Sequence, residues 1–170
     1  MRWRIALALV AGLGLLPLLA ALPNDGRWIA WVDPPHTPYA PALASAGIDI
    51  KQCLMIHSKN NQDRLWALEQ TLKSNHCSVV LGWLAARQEK ALRRLQVAAA
   101  STRTLVFLFR PYSCLQESSS APYRLSLKAQ QQGVDIKLDK RKNGWAMPTQ
   151  HLTLTEQNMH LKVPAITLQP

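Results

Sequence analysis

Apolar and polar stretches alternate regularly along the first two thirds of the chain. Trp28-Ile29-Ala30-Trp31-Val32 is an apolar run of strand formers, and Asp33-Pro34-Pro35 stops it because proline cannot donate to a central ladder. Ala40 to Ala46 suits a short helix, with Gly47 placed to end it in the left-handed conformation. Leu54-Met55-Ile56-His57 predicts a second strand. Asn60 or Asn61 can then cap a helix that carries Leu65, Leu68 and Leu72 on one face and ends at Ser74-Asn75. Ser78 to Leu84 reads as a strand buried on both faces. Gln88 to Ala100 reads as an amphipathic helix with Leu92, Leu95 and Ala99 inward and Arg87, Lys90, Arg93 and Arg94 outward. Thr104 to Phe109 completes the alternation. Strand following helix in this way predicts an α/β core over residues 1–111, a mostly parallel sheet flanked by helices with right-handed crossovers.

Beyond Pro111 the texture changes. Ser113 to Ser120 is a polar, serine-rich loop with no helical periodicity. Tyr123 to Leu127 and Val134 to Leu138 alternate apolar and polar residues across Gln130-Gln131-Gln132-Gly133, the pattern of antiparallel strands with one solvated face. His151 to Thr155 and His160 to Val163 suit a further hairpin, and Pro164 to Pro170 a loose tail. Residues 112–170 are therefore expected to form a loop, a basic antiparallel β appendage and a tail.

The amino end supports two readings. Arg2 and Arg4 precede an apolar run from Ile5 to Leu22, the layout of a secretory signal or a membrane anchor over residues 1–22. Gly12, Gly14 and Pro17 interrupt that run, and Leu19-Ala20-Ala21 is a poor cleavage site. The favoured reading puts a buried strand at Ile5 to Val10 and a short buried helix at Leu15 to Leu22 inside the α/β core, in a cytoplasmic protein.

Lys and Arg outnumber Asp and Glu by 20 to 10, a formal charge of +10. Such a surface attracts polyanions or acidic protein faces, or simply maintains solubility. Cys53, Cys77 and Cys114 form no CxxC pair, so each is expected as a buried small hydrophobe in a reducing compartment. Of the six tryptophans, Trp28, Trp31, Trp66 and Trp83 fall on predicted elements where most should be core, whereas Trp145 falls on a turn.

In an open parallel sheet ligands gather at the carboxyl ends of the strands, here Asp33, His57, Trp83 and Arg110. These make a poor catalytic set, and Asp33 before two prolines suits a turn. No GxxxxGK[ST] occurs, and Gly12-Leu13-Gly14 lacks the lysine and hydroxyl that would hold phosphates and Mg²⁺. No HExxH, GxSxG or paired-carboxylate signature occurs either. The expectation is a protein without catalytic residues, cofactor or metal, working through its surface. Two basic features are the binding candidates. Arg87, Arg93 and Arg94 recur with Lys90 at helical spacing, and Lys140, Arg141 and Lys142 stand beside a turn and Trp145, an indole able to stack on a base or a protein. The plain alternative for each is a solvated basic face.

The blocks Gly26 to Val32, Ser78 to Leu84 and Phe107 to Pro111, the last reading FLFRP, resemble the bacterial SulA/ImuA group of RecA-like proteins over about residues 26–155. Pro34 to Leu43, Ala46 to Asp49, Leu65 to Gln70 and the basic segment ending at Trp145 look closer to the translesion-synthesis accessory ImuA than to the division inhibitor SulA. The resemblance implies a RecA-like fold lacking a functional P-loop and SOS-regulated expression. It also implies a non-catalytic accessory role in translesion DNA synthesis, with an inactive ImuB-like Y-family protein and an error-prone replicative-type polymerase as partners and DNA contact left open. The alternative it carries is a SulA-like inhibitor that binds the tubulin-like protein FtsZ and blocks septum formation. The stretch from Met1 to Leu22 departs from the lead-in usual in that group.

Overall fold

A computed structural model describes residues 15–16, 18–22, 25–84, 89–131, 133–142, 144–145 and 147–153. The elements follow in the order β1 (Trp28–Val32), α1 (Ala40–Ser45), a 3-10 turn (Ile50–Gln52), β2 (Cys53–Ile56), α2 (Asn61–Ser74), β3 (Cys77–Trp83), α3 (Glu89–Ala100) and β4 (Leu105–Phe109). A second 3-10 turn (Tyr112–Gln116), β5 (Tyr123–Gln130), β6 (Gly133–Arg141) and β7 (Gln150–Thr153) complete the described chain.

Strands β1 to β4 form one parallel sheet in the order β2-β1-β3-β4. Successive side chains of a strand point to opposite faces, so a central strand covered on both sides must be apolar throughout. β1 meets that demand throughout, and β3 meets it but for Ser78, whose buried hydroxyl donates to the Trp28 carbonyl at 3.3 Å. On one face Ala30, Val32 and Val80 pack against Leu68 and Leu72 of α2 and Leu92, Leu95 and Ala98 of α3. On the other face Ile29, Trp31, Val79 and Leu81 pack with Leu43 of α1, Ile48 and Leu19. Backbone at residues 15–16 and 18–20 is helical, and Leu15, Leu16 and Ala20 join Leu19 against the same face. The carboxyl half of the amino-terminal apolar run is therefore part of the core, as the favoured reading expected, while a strand at Ile5 to Val10 lies outside the described residues. Among the described residues no helix is long and apolar enough to cross a membrane.

Local chemistry sets the boundaries. Asn60 caps α2, its side-chain oxygen accepting from the Asp63 amide at 2.9 Å, and Asn75 ends the helix in the left-handed region at φ 55°. Gly47 takes φ +86° after α1. Gly82 has a packing reason: a Cβ there would stand 2.7 Å from a methyl of Leu68 and 3.2 Å from one of Leu108, so its bareness lets α2 settle onto β3.

Several expectations need correction. On α3, Ala99 packs against the core as expected, but Ala98 is the more deeply buried of the two, because a helix turning 100° per residue aims position 98 with 95 toward the sheet. The serine-rich loop begins with the 3-10 turn, Cys114 buried within it. Of the tryptophans assigned to the core, Trp31 is buried, Trp83 is half-buried, and Trp28 and Trp66 are 42% and 65% exposed. Trp28 is the first residue of β1, and Trp66 lies off the buried Leu68 and Leu72 face of α2. Cys77 and Cys114 are buried and Cys53 is half-buried; all three are free thiols. Burial pushes the Cys53 and Cys77 thiols up from their ordinary value.

The second sheet is antiparallel, in the order β5-β6-β7. Its strands run further than the periodicity alone predicts, because Tyr123 to Gln130 pairs with Gly133 to Arg141 along its whole length, with a bulge between Arg124 and Leu125. β7 occupies part of the predicted third strand; His160 to Val163 lies outside the described residues.

Candidate functional site

The connection runs outward from β1 to β2 and then back across β1 to β3, so the carboxyl ends of β1 and β3 form the switch point of the sheet. Asp33 stands there, in the left-handed region at φ 50°. Its carboxylate accepts from the Ser58 amide at 2.7 Å, from the Ser58 hydroxyl, and from Arg64 Nε at 2.6 Å. Burial alone would raise its pKa, but the Ser58 hydroxyl and amide and the Arg64 guanidinium outweigh it and hold the carboxyl below its ordinary range. Asp33 thus ties the end of β1 to the loop after β2 and to the first turns of α2, which fits the expected turn role.

Of the other carboxyl-end positions, Trp83 and Arg110 are engaged within the fold, while His57 is exposed. Trp83 and Phe109, paired across β3 and β4, stack at 4.7 Å between ring centroids, and Trp31 stacks on Trp83 at 6.3 Å. Arg110 donates to Glu117 at 2.6 Å. Its neighbour Ser118 donates to Glu89 at 2.7 Å, which fastens the loop after β4 to the start of α3. Among the described residues no group of three or more His, Cys, Asp or Glu gathers as a metal site.

The basic hairpin is joined to the same loop. Lys140 Nζ donates to the Ser119 carbonyl at 2.6 Å, and Arg124 donates to the carbonyls of Glu117, at 2.7 Å, and Cys114. Of the three cations predicted at the tip, Lys140 is therefore tethered through its ammonium, while Arg141 and Lys142 are exposed. The stem of Arg141 lies over Gly144, which forms a bridge with Arg141, and Trp145 beyond it is 92% exposed.

On α3, Arg93 and Arg94 are exposed, and Arg87 lies outside the described residues. Arg94 pairs with Glu69 of α2, which also accepts from Lys73 at 2.8 Å. The Lys73 hydrogen bond, with help from the charge of Arg94, holds Glu69 below the usual carboxylate range despite the opposing effect of desolvation. Lys73 was not legible as a site residue; its only signal was its position four residues after Glu69 on the helix. The loop after β4 meets both elements, Ser118 bonding Glu89 at the start of α3 and Ser119 accepting from Lys140 of the hairpin.

Fold and surface together define a small three-layer α/β protein with an antiparallel annex, its switch point closed by internal ion pairs. Residues 2–106 match the family model described as cell division inhibitor SulA. The chain belongs to the SulA family. The cell division inhibitor SulA of Photorhabdus laumondii is 34% identical over 113 residues, 66% of this chain and 64% of that protein. The inhibitor of Edwardsiella piscicida is 32% identical over 97 residues, 57% of this chain and 58% of its own length. This chain thus spans somewhat less than two thirds of each relative. The crystal structure of SulA from Pseudomonas aeruginosa aligns with 26% identity and a TM-score of 0.49, over 56% of this chain and 82% of that one.

These matches overturn the ImuA resemblance and, with it, the translesion-synthesis role and the ImuB-like and polymerase partners. The reason is physical. The blocks shared within the group are β1, β3 and β4, whose apolar runs are demanded by burial on the sheet and separate its members poorly. The basic segment ending at Trp145 lies beyond residue 106 and so outside the family match, which begins at residue 2 and takes in the amino-terminal apolar run.

Proposed function

We propose that this chain is a non-catalytic cell division inhibitor that binds FtsZ and keeps it from assembling into the septal ring. The single observation that carries the reading is the SulA family match over residues 2–106, which takes in β1, β2 and β3 with the helices between them. Action by occupancy suits a carboxyl edge whose Asp33 and Arg110 are spent on internal contacts. In this reading the work is done in the cytoplasm after DNA damage, on a RecA-like scaffold that lacks a functional P-loop. Arg93, Arg94, Arg141, Lys142 and Trp145 are exposed positions from which a protein partner can be held.

Two measurements test it. Induced expression in a rod-shaped bacterium should give filamentous, undivided cells, and the purified chain should lower the sedimentable FtsZ polymer in proportion to its concentration. Normal division together with undiminished polymer would reject the reading. Mg²⁺-dependent ATP turnover by the purified chain would reject its non-catalytic part.

A further inference from the structure

Between α2 and α3 lies an open groove of about 630 Å³. Lys73, Lys90, Arg93 and Arg94 ring it, with Glu69 as the one carboxylate. Glu69 is answered by Lys73 and Arg94, so Lys90 and Arg93 stand as surplus charge, exposed and without a hydrogen-bond or ion-pair partner among the described residues. Val97 and Ala98 give the groove an apolar wall, and Val97 is 66% exposed, a branched aliphatic left in water on an otherwise polar helix face.

We propose that this groove docks an acidic, amphipathic peptide segment of a partner protein, its carboxylates on Lys90 and Arg93 and an apolar side chain on Val97. Charge complementarity selects the occupant. Neither terminal segment of the sequence is acidic: residues 1–14 carry Arg2 and Arg4, and residues 154–170 carry Glu156 balanced by Lys162. A second copy would bring like charge to like on a protein of formal charge +10. Nucleic acid suits the site less well, because no aromatic side chain lines it to stack a base and a phosphate backbone makes no use of an aliphatic wall. A peptide that pairs charges at the rim and buries an apolar anchor uses every part of it.

The inference is independent of the division reading, and the experiment separates them. A fluorescein-labelled peptide of alternating Glu and Leu is titrated against the full chain, with a Lys/Leu peptide and a single-stranded oligothymidine as comparisons. The Glu/Leu peptide should bind best, and its affinity should fall with salt. The double variant Lys90→Glu, Arg93→Glu should bind it about tenfold or more weakly. Val97→Ser should weaken it without changing the salt dependence, and the milder Arg93→Gln gives an intermediate value if the double variant is less stable. Binding of the Glu/Leu peptide that is absent, or indifferent to these substitutions, overturns the proposal, as does oligothymidine binding tighter than the peptide. FtsZ assembly is measured with the same variants: inhibition retained while peptide binding is lost leaves the division reading standing, and peptide binding retained in a chain that does not inhibit FtsZ leaves the groove standing.

Discussion

At the scale of single residues, Asp33 shows how one side chain can close a site. Its left-handed backbone is tolerated by Asp and Asn because their short polar side chains bond locally. Asp33→Asn keeps that conformation and removes the charge that Arg64 and Ser58 answer. The loss should be about 1–3 kcal/mol at neutral pH, read from urea unfolding. The sign of the pH dependence follows from the lowered pKa of Asp33 in the folded chain. A carboxyl held below its unfolded value stabilises the fold above the ordinary carboxylate range and stops doing so as pH falls through the folded value. The gap between wild type and variant should therefore close in acid; a gap constant from neutral pH down to acid would contradict the ion pair. Gly82→Ala probes packing instead. With Leu68 fully buried and its methyl group only 2.7 Å from the added carbon, the core has little room, and a destabilisation of about 1–3 kcal/mol is expected from thermal unfolding.

At the scale of elements, the annex is held to the core chiefly by its loop. Arg124 reaches two carbonyls of the segment after β4, Lys140 reaches Ser119, and Arg110 reaches Glu117. Arg124→Ala should remove both hydrogen bonds to this segment and loosen the attachment. Hydrogen exchange should then rise in β5 to β7 while β1 to β4 keep their protection; equal loosening of both sheets would show that the two unfold as one unit. Removing the cap by Asn60→Ala should cost about 1 kcal/mol, and that loss belongs to the core sheet through α2.

At the scale of the whole molecule, a formal charge of +10 makes partner capture dependent on ionic strength. If the proposed division-inhibitor function holds, association with FtsZ should slow as salt is raised from about 0.05 to about 0.5 M while dissociation changes less, the pattern of steering by exposed charge. An association rate indifferent to salt would mean that the excess cations serve solubility alone.

The alternation of strands and helices through Phe109 was legible because burial imposes period and continuity on the residues themselves: Ile29 to Val32 and Ser78 to Leu84 are covered on both faces, and Leu68 and Leu72 recur on one side of α2. So were the caps at Asn60 and Gly47 and the exposure of Trp145, which depend on neighbours within a few residues. Other features became decided only when distant segments met. Periodicity does not tell which strands lie side by side, so the order β2-β1-β3-β4 and the return past β1 had to come from packing. Nor does it say that Asp33 would find Ser58 and Arg64, that Lys73 would face Arg94 across Glu69, or that Trp66 would be left in solvent. The core blocks carried the group but could not choose between its members, because every sheet of this kind requires them. Short-range chemistry writes the elements into the chain, whereas charges and grooves that need two elements exist only once the helices lie against the sheet.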